Sequence, residues 1–326
     1  MKIYKKYQLS EIVNQLLEGN KALLASCITL IESDLKEDRS FVHILFKNLP
    51  KTTKNSIRIG ITGVPGAGKS TFINTFGNFI LKNEPKRKLA VLTIDPSSSY
   101  SQGSILGDKT RMESLVLNDR AYIRPSASRG ILGGVNAHTY ETILFCEKVG
   151  FDTIFVETVG VGQSESMVKD LTDLLLFLAI PQTGDDLQGI KKGIMEMVDI
   201  ILINKSDVID GPLLQKTTQD FKNALHCTSS KRNYWTVPII KTSGLKQLKY
   251  QNILEHIDAY VFKTKQAGDF NYQRHQQLEK VFHQQLQHYL IKDFYNKNEC
   301  NIHNQIQSLS LSDENIFDKI KELLDN

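Results

Sequence analysis

An α/β fold with a mostly parallel central sheet flanked by helices, extended at both ends by further helices, is predicted by three observations. Seven short apolar runs recur between about residues 57 and 263, separated by stretches of helical period. The runs are apolar almost throughout, as in Leu174-Leu175-Leu176-Phe177-Leu178-Ala179-Ile180, which fits strands covered on both faces better than half-exposed hairpins. A glycine-rich turn, Gly63 to Thr71, joins the first run to the helical stretch that follows it.

The elements follow in order. From about residue 9 to 50, Ile12, Val13, Leu16 and Leu17, then Leu23, Leu24, Cys27, Ile28 and Ile31, recur at helical spacing with a break near Gly19-Asn20, giving an N-terminal helical arm over 1–55. The polar stretch Pro50 to Ser56 is a suitable boundary. Strands are predicted at 57–62, 89–95, 121–125, 152–157, 174–180, 199–204 and 236–241 within a domain spanning 56–264. After that the chain turns to Gln-, His- and Lys-rich helix with widely spaced apolar residues, among them Leu278, Val281, Phe282, Leu286, Tyr289, Leu290 and Phe294. A short helix from about Asp313 to Leu324 ends this extension, 265–326. Its apolar stripe can pack on the parent domain or meet a second subunit.

Composition narrows the function classes. The 326 residues are 40% hydrophobic, ample for a core, and the formal charge of +4 is spread among interleaved acids and bases, so no nucleic-acid surface is expected. Lys86-Arg87-Lys88, the densest basic cluster, reads as a solvated turn before a strand. Cys27, Cys146, Cys227 and Cys300 lack any C-x-x-C spacing, and His275, His283 and His288 do not share one helical face, so neither a zinc site nor a disulfide framework is indicated. No apolar run approaches the roughly 18 residues of a membrane span, and the expected location is cytoplasmic.

The chemistry is concentrated where strands end. Gly63-Val64-Pro65-Gly66-Ala67-Gly68-Lys69-Ser70-Thr71, between a strand and a helix, has the form of a phosphate-binding loop and implies the P-loop nucleotide-hydrolase fold. Glycines there let backbone N–H groups turn toward phosphate oxygens, the helix N-terminus favours the anion, Lys69 reaches the β- and γ-phosphates, and Ser70 offers its hydroxyl to Mg²⁺. Asn204-Lys205-Ser206-Asp207 follows the sixth strand and has the N-K-x-D form in which an aspartate accepts two hydrogen bonds from guanine; adenine lacks that donor pair, so GTP is expected over ATP. Ser243 and Gly244, after the last strand, are placed to touch the base edge through their backbone. Asp95 and Glu157 close two further strands and are candidates for Mg²⁺, directly or through its waters, or for capping the turns that follow. Asp108 is a third candidate for the metal, with a helix N-cap as the alternative. Gly160 can meet the γ-phosphate through its backbone.

Together these segments resemble the MeaB/ArgK-like GTPases, which assist adenosylcobalamin-dependent acyl-CoA mutases such as methylmalonyl-CoA mutase. The similarity spans about residues 15 to 265. Besides the phosphate loop and Asn204 to Asp207 it rests on Asp95 to Ser99, Gly103 to Met112, Arg124-Pro125-Ser126, Gly133-Gly134, Glu157 to Glu165 and Gly184 to Gly193. The resemblance implies three switch segments, Asp95 to about Lys109, Glu157 to about Lys169, and Ile180 to Lys191. It also implies that partner binding brings Lys191 toward the nucleotide as a catalytic cation alongside Lys69, Asp95 and Glu157; by residue pattern alone Lys191 and Lys192 are a solvated helix face. A homodimer through the C-terminal end is implied too. The family's Pro-Gly-x-Gly-Asp-Glu-Leu-Gln-Gly reads here Pro181-Gln182-Thr183-Gly184-Asp185-Asp186-Leu187-Gln188-Gly189, so the third switch is altered. The implied activity is GTP hydrolysis that gates adenosylcobalamin loading and protects or reactivates the mutase, with cobalamin handled by the partner. A GTPase for metal insertion and a transport-linked ATPase or kinase are the alternatives; the first lacks a His- or Cys-rich storage stretch here, and Asn204 to Asp207 opposes the second.

Overall fold

The computed structural model describes residues 2–51, 56–94, 112–125, 134–158, 164–181, 192–209, 211–227, 232–308 and 320–321. Three helices open the chain: α1 (Leu9–Glu18), α2 (Lys21–Ile31) and α3 (Lys36–Asn48). The break expected at Gly19-Asn20 is the junction of α1 and α2, where the Asn20 side chain accepts a hydrogen bond from Leu23 N–H (3.0 Å) and so caps α2.

The strands are β1 (Ile57–Gly63), β2 (Leu89–Ile94), β3 (Ala121–Pro125), β4 (Thr153–Thr158), β5 (Leu174–Ala179), β6 (Ile200–Ile203) and β7 (Ile239–Lys241). They form one seven-stranded sheet in the order β3-β2-β4-β1-β5-β6-β7, every pair parallel. Between them run α4 (Lys69–Asn83), the short α5 (Glu113–Val116), α6 (Gly134–Lys148), α7 (Ser164–Lys169), α8 (Lys192–Met197) and α9 (Gly211–His226). Then come α10 (Tyr250–Gln266) and the long α11 (Asp269–Ser308). Residues 320–321 are helical; the rest of the helix expected from Asp313 to Leu324 lies outside the described residues.

Burial on both faces explains why the strands read as unbroken apolar runs. On one face Ile57, Ile59 and Ile61 of β1 and Leu174, Leu176 and Leu178 of β5 pack with Phe72 and Phe76 of α4 and Ile253 and Ile257 of α10. On the other, Ala90, Leu92, Ile154 and Val156 share a cluster with Ile12, Leu24, Ile28 and Leu45 of the N-terminal helices and Ile143 of α6. A third cluster joins Phe177 and Ile201 to Ile194 of α8 and Phe221 of α9. Cys27 and Cys146 are buried in the second cluster, as small core residues. Of the apolar positions on α11, Val281 is buried, whereas Phe282, Tyr289 and Leu290 are exposed.

Candidate nucleotide site

In a parallel sheet ligands bind beyond the carboxyl ends of the strands, and every described residue chosen from the sequence lies there. The phosphate loop leaves β1 at Gly63, where a Cβ would stand 2.1 Å from the Leu178 carbonyl oxygen of β5, so only glycine fits between the two strands. Val64 N–H donates to that same carbonyl at 3.3 Å. Pro65 and Gly66 are exposed at the tip, and Gly66 (φ 74°) and Gly68 (φ 83°) take left-handed conformations that curl the loop into α4. The first intrahelical bond runs from Phe72 N–H to Gly68 O, which leaves the N–H groups of Lys69, Ser70 and Thr71 without intrahelical acceptors at the positive end of the helix. Lys69 Nζ lies across the loop, donating to the carbonyls of Gly63 (2.9 Å) and Val64 (3.4 Å). Its ammonium and the N-terminal amides of α4 thus belong to the same loop, the arrangement that binds anions at helix N-termini.

Glu157 reaches this loop from β4, the strand beside β1; its register partners are Ile61 of β1 and Thr93 of β2. Only 3% exposed, it accepts a hydrogen bond from Ser70 Oγ at 3.2 Å. Next to it, Thr158 Oγ1 donates to Thr62 Oγ1 (3.0 Å) and fixes the ends of β4 and β1 to each other. A hydroxyl and a carboxylate brought together at a phosphate loop fit Mg²⁺, which takes one or two carboxylates and completes its shell with phosphate oxygens and water. Ser70 and Glu157 are the described residues that would hold it. Asp95 follows the last residue of β2; it, Asp108, Gly160 and Lys191 lie outside the described residues.

The base-recognition segment follows β6. Asn204 is 3% exposed and joins the end of β5 to two loops: its N–H donates to Ala179 O (2.8 Å), its Nδ2 to Ala67 O in the phosphate loop (2.7 Å), and its Oδ1 accepts Gly244 N–H (2.8 Å). Lys205 takes a left-handed turn (φ 59°) and is exposed. Ser206 bonds Thr242 O through its N–H (3.0 Å) and its hydroxyl (2.8 Å), seating the segment on the extension of β7. The Asp207 side chain is 7% exposed, with Lys246 Nζ 3.5 Å from Oδ2. A hydrogen bond from Ser243 holds its carboxyl below the usual carboxylate range, so it is an ionised acceptor at neutral pH.

The Gly244 backbone, expected at the base edge, is engaged by the protein at both its N–H and its carbonyl. Thr75 Oγ1 and the Tyr250 hydroxyl, which belong to no sequence motif, lie 2.8 and 3.1 Å from its carbonyl oxygen. The available signal was the aromatic series Phe72, Phe76 and Phe79 on α4, which forms the bed for the Tyr250 ring.

Residues 24–299 match the family model described as methylmalonyl-CoA mutase-associated GTPase MeaB. The chain belongs to the MeaB family. A protein of Caulobacter vibrioides described as a putative GTPase is 47% identical over 237 residues, 73% of this chain and 72% of that one. The GTPase ArgK of Escherichia coli is 39% identical over 269 residues, covering 82% and 81%. A mitochondrial methylmalonic aciduria type A homolog of Caenorhabditis elegans is 36% identical over 287 residues, covering 85% and 72%. Among solved structures, one named LAO/AO transport system kinase superposes with a TM-score of 0.74 at 28% identity, covering 97% of this chain and 96% of that one. With the parallel sheet and phosphate loop, MeaB membership makes the protein a P-loop GTPase.

Proposed function

We propose that this MeaB-family GTPase gates the loading of adenosylcobalamin onto an acyl-CoA mutase such as methylmalonyl-CoA mutase and protects or reactivates that mutase, cobalamin remaining with the partner. The observation that supports the nucleotide part is the Asn204 junction, which ties the segment leading to Asp207 to the phosphate loop at Ala67 and to the loop after β7 at Gly244. The mutase part is supported by the family's description and by similarity to methylmalonic aciduria type A homologs.

In this reading Asp207 accepts the two guanine donors, with Lys205, Ser243 and Gly244 around the base. Lys69 and the α4 amides hold the β- and γ-phosphates, and Thr71 extends that anion-binding turn. Ser70 and Glu157, with Asp95 and Asp108, hold Mg²⁺, which when bound neutralises charge on the phosphates. Gly160 meets the γ-phosphate. Lys191 supplies a further cation when the partner docks, stabilising charge on the transferred phosphoryl group. The domain plan is an N-terminal arm over 1–55, the nucleotide domain over 56–264 and a helical extension over 265–326. A homodimer built on α11 is part of the proposal, supported by the exposed Tyr272, Phe282, Tyr289, Leu290, Ile291 and Tyr295. A cytoplasmic location completes it; no helix among the described residues is long and apolar enough to cross a membrane.

The test is turnover of GTP and of ATP by the purified protein with Mg²⁺, with and without a cognate adenosylcobalamin-dependent mutase. Slow GTP turnover that rises with the mutase is the expected result. GTP turnover indifferent to such mutases would remove the partnership and favour metal insertion, and preference for ATP would favour the transport-linked reading.

A further inference from the structure

The peptide of Gly244 is held from both sides. Its N–H donates to Asn204 Oδ1 at 2.8 Å, and its carbonyl oxygen is 2.8 Å from Thr75 Oγ1 and 3.1 Å from the Tyr250 hydroxyl. The two hydroxyl oxygens are 2.5 Å apart, and Thr75 Oγ1 is also 2.9 Å from Thr71 O, the carbonyl one turn back in α4. Two hydroxyl hydrogens are therefore shared among the Gly244 carbonyl, the Thr71 carbonyl and the neighbouring hydroxyl oxygen. Either Thr75 donates to Thr71 O and Tyr250 to Gly244 O, or Tyr250 donates to Thr75 and Thr75 to Gly244 O. In both arrangements, removing either hydroxyl breaks the network that ties Tyr250, Thr75 and Gly244 together and leaves Gly244 O with only the remaining hydroxyl as a donor.

The tyrosine is built in rather than resting on the surface. Tyr250 is 1% exposed, and its ring packs edge-on against Phe72, Phe76 and Phe79 of α4 at centroid distances of 5.7, 5.2 and 5.5 Å. Burial pushes its phenol up to about 12, so it keeps its hydrogen across the working pH range. Helix α4 begins at the phosphate loop, and Ser243, which bonds Asp207, precedes Gly244. A link between α4 and the Gly244 carbonyl thus connects the phosphate half of the site to the base half by a second route, independent of Asn204.

We propose that Thr75 and Tyr250 are positioning residues for guanine recognition, fixing the Ser243-Gly244 loop to the phosphate-loop helix so that base and phosphates are gripped at one spacing. This rests on the reading of Asp207 and Ser243-Gly244 as the base site. GTP and GDP share the base and two phosphates, so both depend on the link. ATP engages the phosphate loop but not the Asp207 carboxylate, and depends on it less.

The experiment is titration of the full-length protein with fluorescent GTP, GDP and ATP analogues, together with steady-state GTP turnover, for Tyr250→Phe, Thr75→Val and Thr75→Ser. Loss of one hydrogen bond at the loop is expected to weaken GTP and GDP alike by about three- to tenfold in Tyr250→Phe and Thr75→Val, and ATP by less than about twofold. KM for GTP should rise by the same factor while kcat holds, and Thr75→Ser, which restores the hydroxyl, should return to within about twofold of the parent. Unchanged GTP affinity, or equal losses for GTP and ATP, would overturn the proposal. Asp207→Asn separates the two layers: if it leaves the preference for GTP over ATP intact, the base-site reading fails. If it shifts that preference and the hydroxyl variants do not, only the positioning role fails. Should Tyr250→Phe not fold, the Thr75→Val and Thr75→Ser pair decides alone.

Discussion

Replacing Asn204 with alanine is the most direct trial of the site geometry, because one buried side chain joins the phosphate loop to the base loop. Truncation leaves Ala67 O without its donor at 2.7 Å and Gly244 N–H without its acceptor at 2.8 Å. A buried polar group stripped of its partner costs about 1–3 kcal/mol, so the two together come to about 2–6 kcal/mol if neither loop relaxes. Relaxation lets water reach the groups and moves the cost from stability to binding, since the loops must close again around the nucleotide. The expected result is at least a tenfold rise in Kd for both GTP and GDP, equivalent to about 1.4 kcal/mol, with the remainder seen as a fall of several degrees in Tm. Nucleotide titration and thermal unfolding on the same preparation read the two parts. Asn204→Asp keeps an acceptor for Gly244 N–H but sets a carboxylate oxygen against the Ala67 carbonyl, and should be at least as damaging. An alanine variant that binds both nucleotides within twofold of the parent and melts at the same temperature would refute the reasoning.

Three other outcomes are expected. Gly63→Ala would drive a Cβ to 2.1 Å from the Leu178 carbonyl and should abolish folded yield or nucleotide binding, whereas Gly66→Ala, with φ 74° but no atom within 4 Å, should cost only about 1–2 kcal/mol; equal losses in soluble yield and binding would contradict this. Burial raises the Glu147 carboxyl, but the Arg58 hydrogen bonds outweigh it and its folded pKa is lowered, so its stabilisation is present above the unfolded value of about 4.3 and is lost as pH falls through the folded value; Glu147→Gln should flatten that acid limb in denaturant unfolding followed against pH, and an unchanged limb would remove the assignment. Lys191→Ala should lower mutase-stimulated GTP turnover by a larger factor than turnover of the protein alone, and equal factors would count against a partner-triggered cation.

The sheet was legible because burial on both faces writes strands as continuous apolar runs, and β1 to β6 lie within a residue or two of the expected bounds. The start of β7 was the exception: the apolar content begins at Val237, but Pro238 has no N–H for the ladder and only its carbonyl joins, accepting from Ile201, so pairing starts at Ile239. The phosphate loop and Asn204 to Asp207 were legible because each needs particular residue types in a short span. Thr75 and Tyr250 were not, because they meet 175 residues apart in sequence and neither stands out from its helix. Arg58 was opaque for the same reason. It interrupts an apolar strand like a surface residue, yet it is 2% exposed, paired with Glu147 through Nε and Nη2 at 2.8 Å each, 89 residues away.

Those long-range ion pairs divide labour between the two ends of the sheet. At the carboxyl ends, polar groups are arranged around a ligand position. At the amino ends, buried charges join secondary-structure elements to one another: Arg274 of α11 makes a two-pronged contact with Asp173 (2.7 Å each) and reaches Ser56 O (2.9 Å), while Asp173 also accepts Arg58 N–H (2.7 Å). Asp199 accepts Leu175 N–H (2.8 Å), Lys169 Nζ (2.5 Å) and the Tyr260 hydroxyl (2.9 Å). Buried pairs of this kind add little net stability over an apolar core, but losing one partner is costly, so their effect is to fix which elements meet and in what register. Helix α11 illustrates it. Its exposed residues mix apolar side chains such as Phe282 and Leu290 with Gln, His and Lys, and it is the directional contacts of Arg274 with Asp173 and of Gln277 Nε2 with Thr172 O (2.8 Å) that set its first turns against the ends of β1 and β5. The seating of the C-terminal extension is therefore specified by polar geometry at the foot of the sheet, independently of the nucleotide chemistry at its head.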